Sequence, residues 1–150
     1  MKPRQSLPEQ WLIADSSLGE ELWTAIPTLP RGSGVLVLRK LSAQEMRRLR
    51  HLAVQRRLTI ASESNLGARV HNSRELRHAL LKRTPLILLS PLYPTRSHRD
   101  WKPLPRMRAA TLTRLGGRRL FALGGMDARK FTRIKALGFQ GWAGISAFRT

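Results

Sequence analysis

The sequence predicts an α/β fold, a run of (β/α) units around a parallel sheet of about seven strands. Three observations carry this. Short apolar runs recur along the chain, and they are continuous rather than alternating, as strands covered on both faces must be. Helical stretches of about 8–15 residues separate most of them, the spacing of parallel crossover units. The later runs stop abruptly in glycine or hydroxylated residues, and loops at the carboxyl ends of parallel strands are where such folds bind ligands.

Residues 1–10 read as a loose lead-in with two prolines, and Trp11-Leu12-Ile13-Ala14 as the first strand. Asp15-Ser16-Ser17 offers helix caps, and Leu18, Leu22, Ala25 and Ile26 give one helical face before Pro27 and Pro30 end it. Arg31-Gly32-Ser33-Gly34 is a turn into the strand Val35-Leu36-Val37-Leu38. Ser42 precedes Glu45 by three positions, the spacing of a capping box. The helix it opens carries Met46, Leu49, Leu52 and Ala53 as its buried stripe, with Arg47, Arg48, Arg50, Arg56 and Arg57 mostly on the solvated side. Leu58-Thr59-Ile60-Ala61 is the third strand, 62–67 is irregular, and Ala68-Arg69-Val70 is a weak strand. Asn72 or Ser73 caps a helix around 75–81, and Pro85-Leu86-Ile87-Leu88-Leu89 is a strong strand. A proline-punctuated loop over 90–103 leads to a helix at 104–115. A strand at 119–123, a helix at 127–136 and a last strand at 142–147 complete the chain.

A chain of 150 residues is most simply one domain, and no linker divides its composition. It is short for a closed eight-stranded barrel of about 250 residues. The absence of cysteine removes disulfides, thiolate catalysis and cysteine-ligated zinc, and suits a cytoplasmic location. No apolar run approaches the roughly 20 residues of a membrane span, and the first residues lack the apolar core of a signal peptide. Net charge is +19, from 28 Lys+Arg against 9 Asp+Glu. Such a field favours polyanions and phosphorylated small molecules. The basic residues are spread from Arg31 onward, and nine aromatics (4 Trp, 1 Tyr, 4 Phe) do not interleave with them as base-stacking platforms would. Weak, salt-sensitive binding to any polyanion is expected, and a nucleic-acid-binding module stays open as an alternative function.

Three segments follow one another in the last third: Pro94-Thr95-Arg96-Ser97-His98, Leu123-Gly124-Gly125 and Ala143-Gly144-Ile145-Ser146-Ala147. Their order and spacing resemble those of thiamine phosphate synthase and its relative, the TenI-type aminopyrimidine aromatase. The resemblance runs over 85–148 and continues more loosely over 11–62. It implies a TIM-barrel-like fold from which roughly one βα unit is missing, because Gly67-Ala68-Arg69-Val70-His71 stands for a later Gly-x-Ser-x-His strand end. A barrel so shortened closes with fewer strands, stays incompletely closed, or covers its gap with another chain. A homodimer is one such cover.

The resemblance also implies an activity, the joining of hydroxymethylpyrimidine diphosphate to hydroxyethylthiazole phosphate with release of diphosphate, aided by Mg²⁺. On this reading Gly124, Gly125, Ile145 and Ser146 cradle the thiazole phosphate, glycine allowing close backbone approach and the following helix aiming N–H groups at the anion. A tight turn without a ligand explains Gly124-Gly125 equally well from the residues alone. Thr95 and Ser97 offer hydroxyls, and His98 stands where the family has lysine, which weakens the positive charge there. Arg39 matches a family arginine that would grip diphosphate with its fork, or is simply a rim arginine. His71 keeps the family histidine, whereas Arg69 replaces the serine. Glu63 is the one carboxylate left to hold Mg²⁺, since the second metal-binding aspartate falls in the missing segment. A protein that binds thiazole or thiamine phosphate without turnover, or a TenI-like one, is therefore the alternative to a synthase.

Overall fold

The computed structural model describes residues 7–16, 18–62, 67–95 and 99–148. Seven strands are present: β1 (Gln10–Ala14), β2 (Gly34–Val37), β3 (Thr59–Ser62), β4 (Gly67–Val70), β5 (Leu86–Leu89), β6 (Leu120–Ala122) and β7 (Gly141–Gly144). The helices are α1 (Glu21–Ala25), α2 (Ala43–Arg56), α3 (Ser73–Leu81), α4 (Arg106–Gly116) and α5 (Ala128–Ile134). The strands form one parallel sheet in the order β3-β2-β1-β7-β6-β5-β4. It curls into a nearly closed barrel with a single unsealed seam between β3 and β4. The seam has a covalent cause. Parallel neighbours need a crossover of a dozen or more residues, and only residues 63–66 connect these two strands.

Strand alternation sorts the apolar side chains into two layers. Trp11, Ile13, Leu36, Ala61, Leu86, Leu88, Phe121 and Ala143 point into the barrel and fill it. Leu12, Val35, Val37, Val70, Ile87, Leu89, Leu120 and Trp142 point outward beneath the helices. The barrel interior is dense around Trp11 and Phe121, which meet edge to face at 6.4 Å between ring centroids. A Cβ at Gly34 would run into the Trp11 indole, which is why glycine opens β2. Within the barrel, space for a ligand is therefore left above this plug, toward the carboxyl ends of the strands.

The helices follow their caps. Ser42 and Glu45 form the complete capping box of α2, Asn72 caps α3, and Asp127 caps α5. Several boundaries differ from the sequence reading. The first helix starts at Glu21 rather than beside Asp15, because Gly19 takes φ +49° and breaks the turn (Ser17 lies outside the described residues). Helix α4 begins after Pro105, whose ring forces the preceding residue into extended backbone. The last strand ends at Gly144, and Ser146–Phe148 is a 3₁₀ turn anchored by Phe148 stacking on Trp142 at 5.2 Å. Two α2 arginines do more than face solvent. Arg48 lies 4.4 Å over the ring of Trp23, and Arg56 donates to the Leu29 carbonyl at 2.6 Å.

Candidate functional site

A cleft of about 750 Å³ opens at the carboxyl ends of the strands. Ile13, Leu38, Leu123, Met126 and Ile145 form its apolar walls, and Trp101 stands at its edge. Its polar groups are Asp15, Arg69, His71, Ser90, Thr95, Asp127, Lys130 and Ser146. An apolar slot with a few converging polar groups is the form that small-molecule sites take. Asp15, Leu38, His71, Ser90, Leu123 and Ile145 each immediately follow a strand, so the sheet itself fixes their spacing.

The Gly124-Gly125 loop carries the strongest backbone demands. Gly124 has φ +102° and Gly125 has φ +59°. A Cβ at Gly124 would come within 2.8 Å of the Pro91 Cα, and one at Gly125 would strike the Pro94 carbonyl. The Tyr93 N–H donates to the Gly124 carbonyl at 3.1 Å, and the Leu92 N–H to the Leu123 carbonyl at 3.0 Å. The two loops are thus laced together, and loop packing alone is a sufficient reason for both glycines. Helix α5 offers an anion less than expected, because the Asp127 carboxylate already accepts the Lys130 N–H at 2.8 Å. Among the described residues, Lys130 brings a cation to the loop. Its Nζ donates to the Gly125 carbonyl at 2.8 Å and lies 5.2 Å from the centre of the Tyr93 ring.

On the other side of the cleft, His71 Nδ1 lies 3.1 Å from a Glu75 carboxylate oxygen. An ionised carboxylate only accepts, so Nδ1 carries the proton, and in the neutral ring Nε2 is left as an acceptor. The His71 ring also meets Trp101 edge to face at 5.4 Å. Glu75 is itself held by the Asn72 side-chain amide at 3.2 Å.

The structure brings six of the candidate residues to this one cleft: His71, Thr95, Gly124, Gly125, Ile145 and Ser146. Arg39 does not line it. Its guanidinium donates to Glu45 at 3.1 Å, tying it to the first turn of α2. The Ser42 backbone N–H, foremost, and the Arg39 guanidinium, as the smallest contributor, hold the Glu45 carboxyl below the usual glutamate range. Glu63, Ser97 and His98 lie outside the described residues.

Residues 45–148 match the thiamine monophosphate synthase family, more than half of the chain. The chain belongs to that family. Among solved structures, it is similar to the thiamine phosphate pyrophosphorylase of Pyrococcus furiosus, with a TM-score of 0.70 at 17% identity. That alignment covers 94% of this chain and 86% of the other. The thiamine phosphate pyrophosphorylase of Bacteroides thetaiotaomicron gives a TM-score of 0.55 at 15% identity, over 93% and 83% of the two chains. At these identities the likeness speaks for the fold. None of the curated proteins matches the sequence.

The magnesium that the family resemblance implies finds a poor donor set. Among the described residues, no group of three His, Asp or Glu side chains could hold a metal ion. Of the two aspartates at the cleft, Asp127 is committed to its helix cap, and both share the cleft with the cations of Arg69 and Lys130. The described residues therefore do not fit a magnesium site. The sequence reading gave no place in the site to Asp15, which it read as a helix cap, nor to Ser90, Trp101 or Lys130. Asp15 and Ser90 each directly follow a strand, a signal that was available. Nothing in the sequence tells that Lys130 folds back onto Gly125.

Proposed function

We propose that the protein acts in thiamine phosphate formation, with hydroxyethylthiazole phosphate seated in the cleft and its phosphate toward Gly124, Gly125 and Ser146. The observation that carries this reading is the convergence of three separate strand ends, those of β5, β6 and β7, on one slot with apolar walls. The heterocycle would lie against Leu123, Met126 and Ile145, and Thr95 would add a hydroxyl. In the synthase reaction, the thiazole nitrogen bonds to the pyrimidine methylene carbon as the bond to diphosphate breaks and diphosphate leaves. Arg39, Ser97 and His98 are proposed for the diphosphate side, and Glu63 for a cation there.

A second reading is favoured by one observation: Arg39, the residue proposed to grip diphosphate, is paired with Glu45 and does not line the cleft. On that reading the protein binds thiazole or thiamine phosphate without joining the two halves, or works on a related aminopyrimidine as TenI-type proteins do. The deciding experiment incubates purified protein with both substrates and Mg²⁺ and measures thiamine phosphate. Product formation supports the transferase. Calorimetric binding of the thiazole phosphate with no product supports the second reading. Neither product nor binding overturns both.

A further inference from the structure

We propose that the cleft holds a phosphate monoester directly on protein cations, Lys130 at the Gly124-Gly125 lip and Arg69 at the end of β4, with no bridging divalent metal. This rests on the reading above, that the ligand is a phosphorylated heterocycle.

Lys130 is positioned rather than free to wander. Its backbone N–H is fixed by Asp127, and its ammonium is drawn to the Gly125 carbonyl beneath the Tyr93 ring. An ammonium has three donors, and one goes to Gly125. The charge therefore stands at the rim of the proposed phosphate cradle, with donors to spare.

Arg69 reaches the cleft for a reason of register. It pairs with Leu88, a residue of the barrel interior, while its neighbour Val70 packs among the outer apolar side chains. Alternation then sends Arg69 to the inner side, just above the filled core, and its side chain lines the cleft. A guanidinium is permanently charged and presents five donors in a planar fork suited to phosphate oxygens. A divalent cation placed between these two residues would meet like charge from both sides, and of the two carboxylates in the cleft, Asp15 and Asp127, the second is committed to its helix cap. An anion meets attraction from both, strongest at the half-buried Lys130 and screened by solvent at the exposed Arg69.

The test is calorimetric titration of the intact protein with hydroxyethylthiazole phosphate, once in EDTA and once in excess Mg²⁺. The expected dissociation constants agree within about twofold. Lys130→Met and Arg69→Gln should each weaken binding about tenfold or more, as loss of a charge-assisted hydrogen bond does. Arg69→Lys, which keeps the charge and loses the fork, should recover part of the loss. Unchanged circular-dichroism melting curves show that the variants are folded, and the EDTA arm needs no variant. Binding that appears only with Mg²⁺ overturns the metal-free proposal while leaving the ligand assignment standing. Wild-type affinity in both charge-removing variants overturns it as well, as does equal affinity for the unphosphorylated thiazole alcohol. Absence of binding in either buffer sinks the ligand assignment and this proposal together.

Discussion

On the β5–β7 side of the barrel mouth, the loops are fastened to one another by main-chain bonds: Leu92 to Leu123, Tyr93 to Gly124, and Leu104 to Pro91 at 2.8 Å. On the β2–β4 side, the Leu38 and Arg39 N–H groups both donate to the Ala14 carbonyl, and the rest of the rim is organised by side chains: Arg39 with Glu45, and His71 with Glu75. The first arrangement admits few residue types, because left-handed backbone and a close neighbour leave room only for glycine. The second can be rewired by a single substitution, and Arg39 is spent on Glu45 rather than on the cleft it was expected to serve. The barrel mouth thus has one half whose shape is set by backbone and glycine, and another that leans on pairs of long side chains.

Replacing Gly124 by valine should be the most damaging change to this contrast. The positive φ and the 2.8 Å approach to Pro91 cannot both accommodate a branched side chain. A loss of roughly 2–4 kcal/mol in folding stability is expected, from backbone strain plus overpacking. Denaturant unfolding measures it, and a cost under about 0.5 kcal/mol, the size of an ordinary surface substitution, would show that the two loops are not rigidly coupled. A smaller effect is expected at Ser146, which is exposed on its 3₁₀ turn. Ser146→Ala should leave the melting temperature unchanged and weaken thiazole phosphate by about threefold to tenfold if its hydroxyl meets the ligand. The smallest effect concerns Glu45. Its carboxyl is held low in the folded state, so its stabilising contribution is complete above the ordinary glutamate range. That contribution is lost as the pH falls through the lowered value. Acid titration of wild type against Glu45→Gln should show the two stability curves converging at low pH, and parallel curves would contradict the role given to the Ser42–Glu45–Arg39 cluster.

Much of the fold was legible because its signals are local. Ser42 with Glu45, Asn72 and Asp127 announce three helix starts, and short continuous runs such as 86–89, bounded by Pro85 and Ser90-Pro91, read as strands buried on both faces. The converging glycines and Ser146 were legible as strand ends. What the sequence did not disclose depends on register and on long side chains. A run buried on both faces hides which residues point inward, so Arg69 acquires an inner direction only once β4 is seen beside β5. Lys130 belongs to the cleft because a flexible stem turns back five positions to Gly125, a choice invisible in spacing alone. Trp23 is buried although the helical face drawn for α1 omitted it, and its cover is the Arg48 side chain from another helix.

The gap between β3 and β4 leaves two rows of backbone donors and acceptors able to accept a foreign strand. The residues beside it are strongly basic, with Arg57 preceding β3 and Arg74 and Arg77 exposed on α3. Two copies at +19 therefore approach as mutually repelling polycations. Added electrolyte shortens the reach of that repulsion to about 8 Å at physiological strength. Ionic strength thus becomes the guardian of the open edges, and dilute buffer should preserve solitary molecules where concentrated salt invites them to stack.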